Sequence, residues 1–392
     1  MNLAHIRRSP NKLLNACQLG DVNAVAELLK LPRIRVNAKS EGFTPFFLAC
    51  YLSNVEVVKM LLADGRADVN EVSDEGVTPF YAACEAGLTE IVRLLLADKR
   101  VIIDWAEGPE QTPLHAACFK NRASVIKLLL ADPRVDVNDE CSSGRTPLYF
   151  ACLKDSARSV ALLLADARVN VNKAYRGETP FYIACEMGAS DTVIGLLLKN
   201  EKVDVNKPDR NRCHTPLWIL AENGHLRIIK IILTSYKHVD TKARSVRDKF
   251  HGVKTAAELA RSESNRPIDY YSNDFEVNGR RAVKNGKAIA DLIDAYEQNP
   301  RAVRLQLRRG AGLIPKDVAA VFALVVFLCE GLLKLKRRTP QKGNLARFFS
   351  ILQRLPMELQ MLTCNRAFES MKDSVLTKVS EPSFKKLAKV FS

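Results

Sequence analysis

A Thr-Pro pair that returns about every 34 residues is the feature that most constrains the fold of this chain. The intervals between successive pairs are 34, 34, 34, 33 and 36 residues. The pairs begin at Thr44, Thr78, Thr112, Thr146, Thr179 and Thr215. Self-similarity at a period of about 20–50 residues is typical of stacked structural units. The sequence therefore predicts an array of similar units along residues 1–240.

Each unit has the pattern of two short helices. Proline suits the first position of a helix, because its missing N–H would be unpaired there, and the threonine before it can cap the helix. Ala-Cys follows five residues after the first five threonines, and an apolar run such as Val57–Leu62 begins about six residues later. Val-Asn, as in Val69-Asn70, then closes the unit. A unit of this size buries its apolar face only against its neighbours.

The segment 112–117 reads TPLHAA, and the whole pattern resembles the ankyrin repeat. The resemblance covers about residues 10–240 in about seven units, of which the first lacks Thr-Pro and is expected to be an N-terminal cap. It implies an all-α fold: an ankyrin-repeat solenoid of helix-turn-helix units with short hairpin turns, followed by a small helical C-terminal domain. In the other units the histidine position is aromatic, which indicates packing between repeats or contact with a ligand: Phe47, Tyr81, Tyr149, Tyr182 and Trp218.

The resemblance also implies where a partner protein binds. Ankyrin arrays use a concave surface formed by the turns before Thr-Pro and by the exposed ends of the first helices. The residue types at these positions vary from unit to unit, so packing does not dictate them. Several are aromatic or apolar, as in the anchors of protein interfaces. The predicted protein-binding residues are Tyr51, Glu85, Trp105, Phe119, Lys120, Arg145, Leu153, Tyr175, Arg176 and Glu186.

The period decays after Trp218. We expect residues 241–299 to form a degenerate terminal repeat, with a first helix at 255–260, a polar loop at 261–287 and a second helix at 288–298. Residues 300–392 are predicted to form a basic helical C-terminal domain. Residues 1–240 hold 30 Lys and Arg against 29 Asp and Glu, so the remaining 29 basic and 15 acidic residues give 241–392 a net charge of +14.

Basic clusters lie at 301–309 and 334–338. They fit solvated helix faces and a helix end neutralised by cations; the second also fits a nuclear import signal. Nucleic-acid binding is disfavoured, because no aromatic residues alternate with the basic ones and no known module is visible.

The run Leu355-Pro356-Met357-Glu358-Leu359 resembles the start of an F-box, and more closely the F-box-like PRANC motif that follows ankyrin arrays in poxviral and some microbial proteins. In that family the motif recruits the adaptor of a cullin–RING ubiquitin ligase, and the array holds the substrate. The adaptor-binding candidates are then Leu355, Pro356, Glu358, Leu359 and Leu362. The same letters also arise where a helix simply begins with proline and an acidic residue.

Catalytic chemistry has no support in the sequence. The six histidines show no paired metal-ligand spacing, and nucleotide-binding and nucleophile motifs are missing, so no enzyme activity, cofactor or small-molecule substrate is expected. Six of the ten cysteines recur at one helical position and no CxxC occurs, which favours a reducing compartment, the cytoplasm or the nucleus. The longest apolar stretch, 318–329, is shorter than the roughly 20 residues of a membrane span.

Three functions fit these observations. The first is a non-catalytic module or scaffold that binds a partner protein. The second is a substrate receptor of a ubiquitin ligase, acting through residues 355–362. The third is a microbial effector that acts on host proteins.

Overall fold

The computed structural model describes residues 11–104, 111–235, 237–245, 253–265 and 276–311. Over these ranges the chain forms α-helices joined by turns, with isolated β-bridges in place of strands, which confirms the predicted all-α class. The chain divides into two compact units. Unit 1 comprises residues up to Asn223 together with Ala243–Thr255, and unit 2 comprises Gly224–Lys242 and the chain from Ala256 onward.

In unit 1 the first helices of successive repeats stack on one another. Six of them begin at the proline of a Thr-Pro pair, as the sequence predicts. They are α1 (Lys12–Leu19), α3 (Pro45–Tyr51), α5 (Pro79–Ala86), α7 (Pro113–Phe119), α9 (Pro147–Leu153), α11 (Pro180–Glu186) and α13 (Pro216–Glu222).

The second helices form a parallel row. Each packs on the first helix of its own repeat, and successive second helices from α2 to α12 pack on one another, so neighbouring repeats cover each other's apolar faces. They are α2 (Val22–Leu29), α4 (Val55–Asp64), α6 (Thr89–Ala97), α8 (Ala123–Ala131), α10 (Ala157–Ala165) and α12 (Asp191–Lys199).

In five of the six helices that begin with proline, the preceding threonine caps the helix through one side-chain hydrogen bond. Its hydroxyl oxygen accepts the backbone N–H three residues later, at 3.0–3.3 Å, in Thr44, Thr78, Thr146, Thr179 and Thr215. This confirms the predicted caps. The residue two before the threonine has positive φ in each turn that the structure describes. That residue is glycine in four turns, whereas Cys213 adopts the same conformation, with φ +59°, in the last.

The cap at Thr112 is different because His115 joins it. The Nδ1 atom of His115 lies 3.2 Å from the backbone N of Thr112 and 2.7 Å from its hydroxyl. Since a backbone N–H only donates, Nδ1 must accept, and the proton of the neutral ring is therefore on Nε2. From there it is donated to the carbonyl oxygen of Arg145 in the next repeat, at 2.9 Å. Burial lowers the pKa of His115 to about 4, which favours this neutral form.

At four places an arginine links its own repeat to the second helix of the preceding repeat. Arg134, for example, pairs with Asp132 at 2.7 Å, and its Nη2 also donates to the carbonyl oxygen of Leu96 in the last turn of α6, at 2.8 Å. The same arrangement recurs at Arg66, Arg100 and Arg168. Because a helix C-terminus has unpaired carbonyls and partial negative charge, a guanidinium there satisfies both. Residue spacing alone did not predict this link.

The asparagine of Val-Asn makes a second link. In Asn138, Nδ2 donates to the carbonyl oxygen of Arg168 at 2.8 Å, and Oδ1 accepts the backbone N–H of Asn170 at 2.6 Å. The amide thus spans one donor and one acceptor in the next repeat. Asn37, Asn70 and Asn172 repeat this pattern.

Unit 2 contains four helices in its described part. They are α14 (Leu226–Thr234), α15 (Ala256–Ser264), α16 (Glu276–Gln298) and α17 (Pro300–Gly310). α16 packs on α15 and also contacts α14 and α17. The predicted domain boundaries at 240 and 299 stay predictions.

The predicted polar loop at 261–287 is wrong at both ends, because α15 continues to Ser264 and α16 begins at Glu276 and not at Ala288. Close packing explains the early start of α16. A Cβ atom on Gly286 would collide with the backbone of Ala260 in α15, so the two helices pack closely there. Asn285 also donates from Nδ2 to the carbonyl oxygen of Gly224 at 2.8 Å. Packing of this kind leaves no apolar periodicity in the sequence.

The basic cluster at 301–309 is partly used inside unit 2. Arg308 donates from Nη2 to the carbonyl oxygen of Thr234, the last residue of α14, at 2.8 Å. Arg304 donates to the Tyr296 hydroxyl at 2.6 Å. These two side chains hold α17 in place, which accords with the structural interpretation of the cluster. Residues 334–338 lie outside the described residues.

The arginine link predicts that Arg134→Lys weakens unit 1. Lysine loses the planar fork that binds Asp132 and the Leu96 carbonyl together, so we expect the free energy of unfolding to fall by about 1 kcal/mol. Arg158→Lys is the matched control, because Arg158 is exposed on α10; its effect should stay within about 0.5 kcal/mol. Urea denaturation measures both, and equal effects would contradict the link.

The neutral state of His115 predicts a pH dependence. The folded pKa of about 4 lies below the ordinary 6.5, so the unfolded chain binds the proton more readily. The stability that this group contributes is complete above pH 6.5 and is lost as the pH falls towards 4. Between pH 7 and pH 5 the loss should be roughly 2 kcal/mol.

The variant His115→Tyr isolates this effect, because tyrosine occupies the same position at Tyr149 and does not titrate in that range. Urea denaturation of both proteins at pH 7 and pH 5 gives the two losses of stability. The loss should be larger in the unaltered chain by roughly 2 kcal/mol. Identical pH dependence would show that His115 is not held neutral.

Candidate protein-binding surface

The first helices α3, α5, α7, α9 and α11 are buried from their proline to their cysteine, and only their last residues reach the surface. Tyr51, Glu85, Phe119, Leu153 and Glu186 are each half-buried at these ends, and Lys120 beyond Phe119 is exposed. Because successive first helices stack side by side, the ends of neighbouring helices form one row. This row and the turns before Thr-Pro are called the helix-end surface below.

The aromatic residues at the histidine position do not belong to that surface. Their side chains are between 1% and 6% exposed. Trp218 stacks on His214 with ring centroids 3.5 Å apart, and the Tyr149 hydroxyl donates to Glu178 at 2.9 Å. Of the two interpretations left open by the sequence, the structure supports packing between repeats.

Arg145, Tyr175 and Arg176 come together at two successive turns. The Arg145 guanidinium lies 4.8 Å from the ring centroid of Tyr175 and 5.6 Å from that of Tyr149. Arg176 approaches the Tyr175 ring at 5.1 Å. Tyr175 is half-buried between them, so this part of the helix-end surface presents two cations on aromatic rings.

Phe119 lies at the end of α7. Its ring packs edge-on against Phe150 of the next repeat, with centroids 6.0 Å apart. The Lys154 ammonium lies 4.3 Å from the centre of the Phe119 ring, and Lys120 lies 5.8 Å from it. Lys120 is also 3.5 Å from the carboxylate of Glu85. Only the ring geometry shows that Lys154 belongs with the predicted residues here.

Two other predicted residues lie in the outer repeats. The Tyr51 ring stacks on Phe47 with centroids 6.3 Å apart. Glu186 is half-buried, and burial, reinforced by Glu178 and Asp209, raises its pKa. Trp105 and the adaptor-binding candidates Leu355, Pro356, Glu358, Leu359 and Leu362 lie outside the described residues.

The repeated cysteines are unsuited to nucleophilic chemistry. Cys17, Cys50, Cys84, Cys118, Cys152 and Cys185 are buried free thiols. Burial raises their pKa, in Cys17 to about 12, so the reactive thiolate is scarce at neutral pH. Within the described ranges, no cluster of His, Cys, Asp and Glu is arranged to hold a metal ion.

Whether a helix can cross a membrane depends on its length and its hydropathy. In the part of the chain that the structure describes, no helix combines the length and the apolar character needed to cross a bilayer.

Comparisons with known proteins agree with the geometry. The family model for ankyrin repeats (3 copies) matches residues 13–104, 100–173 and 159–244. The ankyrin repeat domain of Bcl-3, "a unique member of the IkappaB protein family", is similar at 26% identity over 56% of this chain and 97% of that one, with a TM-score of 0.50. The human ASB11 ankyrin repeat domain is 26% identical over 54% of this chain and 90% of that one, with a TM-score of 0.46. No curated protein sequence matches. The segments matched by the family model cover more than half of the 392 residues, and the protein belongs to the ankyrin-repeat family.

Proposed function

We propose that this protein binds a partner protein on the helix-end surface of unit 1 and that it does so without catalysis. Ankyrin repeats are protein–protein interaction modules, so the family supports this general role. One observation supports the helix-end surface as the binding site. The recurring residues of each repeat form caps, links and buried packing, whereas the exposed and half-buried positions of the helix-end surface carry residue types that vary along the array.

The half-buried aromatic and apolar side chains of this surface support the proposal further. Phe119 and Tyr175 pack against neighbouring rings but stay half-buried, and Leu153 is half-buried as well. Such residues lose little conformational freedom on binding and can bury apolar area against a partner. The cations beside them add polar contacts at the rim.

Site-specific photo-crosslinking tests the location. A photoreactive phenylalanine analogue is placed at Phe119 or Leu153 in the full chain, and in matched controls at Lys127 or Arg158, which are exposed on the second helices α8 and α10. After incubation with eukaryotic lysate and irradiation, we expect a discrete crosslinked partner from the first two positions alone. The same partner crosslinked from all four positions, or from the controls alone, would refute the proposed surface.

A second role is proposed for the segment 355–362. Its resemblance to the F-box-like motif, and its place after the array, support a substrate receptor that recruits a cullin-ligase adaptor. In that role the helix-end surface would hold the substrate, and an effector that acts on host proteins is one setting for it. A helix that begins at Pro356 would place Leu359 and Leu362 on one face, suited to a partner groove.

Co-purification tests this role. The full chain, the double variant Leu355→Asp, Leu359→Asp, and the control Gln360→Asp are used to capture a purified cullin-ligase adaptor. We expect capture by the full chain and the control, and at least a tenfold loss in the double variant, because a charge at an apolar contact is costly. No capture by the full chain, or equal capture by all three, would reject the ligase role and leave the partner-binding proposal intact.

A further inference from the structure

Three cations of the helix-end surface have no acidic partner among the residues that the structure describes. The salt bridges and side-chain hydrogen bonds of the described residues include none made by Arg145, Lys154 or Arg176, although each is held against an aromatic ring. The arginines of the repeat links differ, since each has an aspartate two residues before it. Together with Phe119 and Tyr175, these three residues are called the cation–aromatic cluster.

Arg145 shows that the cluster is incomplete in a second way. Its Nε atom is shielded from solvent and has no hydrogen-bond partner. A buried N–H without an acceptor costs free energy. Because Nε itself is shielded from solvent, a ligand carboxylate would bind this guanidinium through its Nη atoms.

The rings prepare these cations for binding. Lys154 lies 4.3 Å from the Phe119 ring, and Arg145 lies 4.8 Å from the Tyr175 ring. A side chain held on an aromatic face has fewer rotamers to lose when it binds a ligand. Since residues 1–240 carry 30 basic and 29 acidic residues, the attraction would come from this local arrangement and not from a general positive charge.

The cluster has two ends, separated by α9. Arg145 precedes the helix and Lys154 follows it, nine positions later. At 1.5 Å per residue the two backbone positions are at least about 13 Å apart. An extended chain rises about 3.3 Å per residue, so carboxylates placed over these two backbone positions would be about four residues apart.

We propose that the occupant of this surface is an acidic, extended segment of a partner polypeptide. One carboxylate binds Arg145 and Arg176, a second binds Lys154, and the residues between them pack on the edges of Tyr175 and Phe119. This inference rests on the proposed function and specifies the chemistry of the partner at the same surface.

A polypeptide fits better than a nucleic acid. Glu85, Glu178 and Glu186 lie among the same turns and helix ends, where they would repel a continuous line of phosphates. Nucleic-acid grooves carry unbroken positive charge along the backbone that they bind. Two separate cationic points instead match two separate carboxylates.

Peptide selection tests the proposal. A phage library of random dodecapeptides is selected on the full chain, and the recovered peptides are measured by fluorescence anisotropy. We expect enrichment of Asp or Glu pairs with about three residues between them, and binding that weakens with added salt. The binding variant replaces Arg145, Lys154 and Arg176 by glutamine; the matched control replaces the exposed Lys99, Lys127 and Arg158 by glutamine.

The selected peptides should bind the control about as well as the unaltered chain and the binding variant about tenfold more weakly. Circular dichroism melting of all three confirms that they fold. Enriched peptides that are neutral or basic, or that bind the binding variant equally well, would overturn the proposal. So would a labelled single-stranded oligonucleotide that binds the full chain more tightly than any selected peptide and is released by the three substitutions.

Crosslinking separates failure here from failure of the proposed function. Peptides that crosslink to the photoreactive position 119 or 153 but lack acidic residues leave the helix-end surface in place and refute only its acidic partner. Peptides that crosslink only to positions 127 and 158 refute both.

Discussion

The structure of unit 1 depends on the stacking of one repeat on the next. A pair of short helices cannot cover its own apolar face, so the first helix of each repeat is buried on both sides by its neighbours. Ala and Cys permit this close approach, because they are the small residues at the point where the helices meet. The side chain at the histidine position fills the space beside them.

Stacking alone would leave many polar groups of the turns and helix ends without partners, and the repeats solve this with the same few residues each time. Arginine satisfies the carbonyls at the end of one second helix, and asparagine spans a donor and an acceptor in the following repeat. Asp104 occupies the asparagine position between Asn70 and Asn138. A carboxylate has no N–H to donate, so the asparagine series is interrupted there. The pKa of Asp104 is raised by burial and by the negative charges of Asp139 and Asp136.

The sequence predicted the parts of the fold that local chemistry determines. Thr-Pro marks the start of a helix, and the period shows that the units stack. The beginning of α16 could not be predicted from the sequence. Gly286 allows close packing of two helices and Asn285 donates to a backbone carbonyl, and neither contact leaves an apolar pattern. The arginine links were also missed. Asp-x-Arg is legible in the sequence, but its partner carbonyl lies 38 residues earlier for Arg134.

The candidate surface was predictable to a similar degree. Counting from the threonine places Phe119, Leu153 and Tyr175 at helix ends and turns, since these positions follow from the period. Which of them carries a cation on its ring depends on the neighbouring repeat, as Lys154 on Phe119 illustrates. Contacts between side chains some 30 residues apart require the angle between repeats, which residue spacing does not supply.

Net charge turns out to be a poor guide to the charge that a partner can use. Residues 241–392 carry a net charge of +14, yet Arg304 and Arg308 are directed at a hydroxyl and a backbone carbonyl inside unit 2. Residues 1–240 are almost neutral, yet three of their cations lie at the surface without a carboxylate. A charge that already satisfies its own fold offers little to a ligand, because binding would have to replace an existing hydrogen bond. We therefore expect a partner to use cations that the fold leaves unsatisfied, and in the described residues of unit 1 the cation–aromatic cluster holds three of them against aromatic rings.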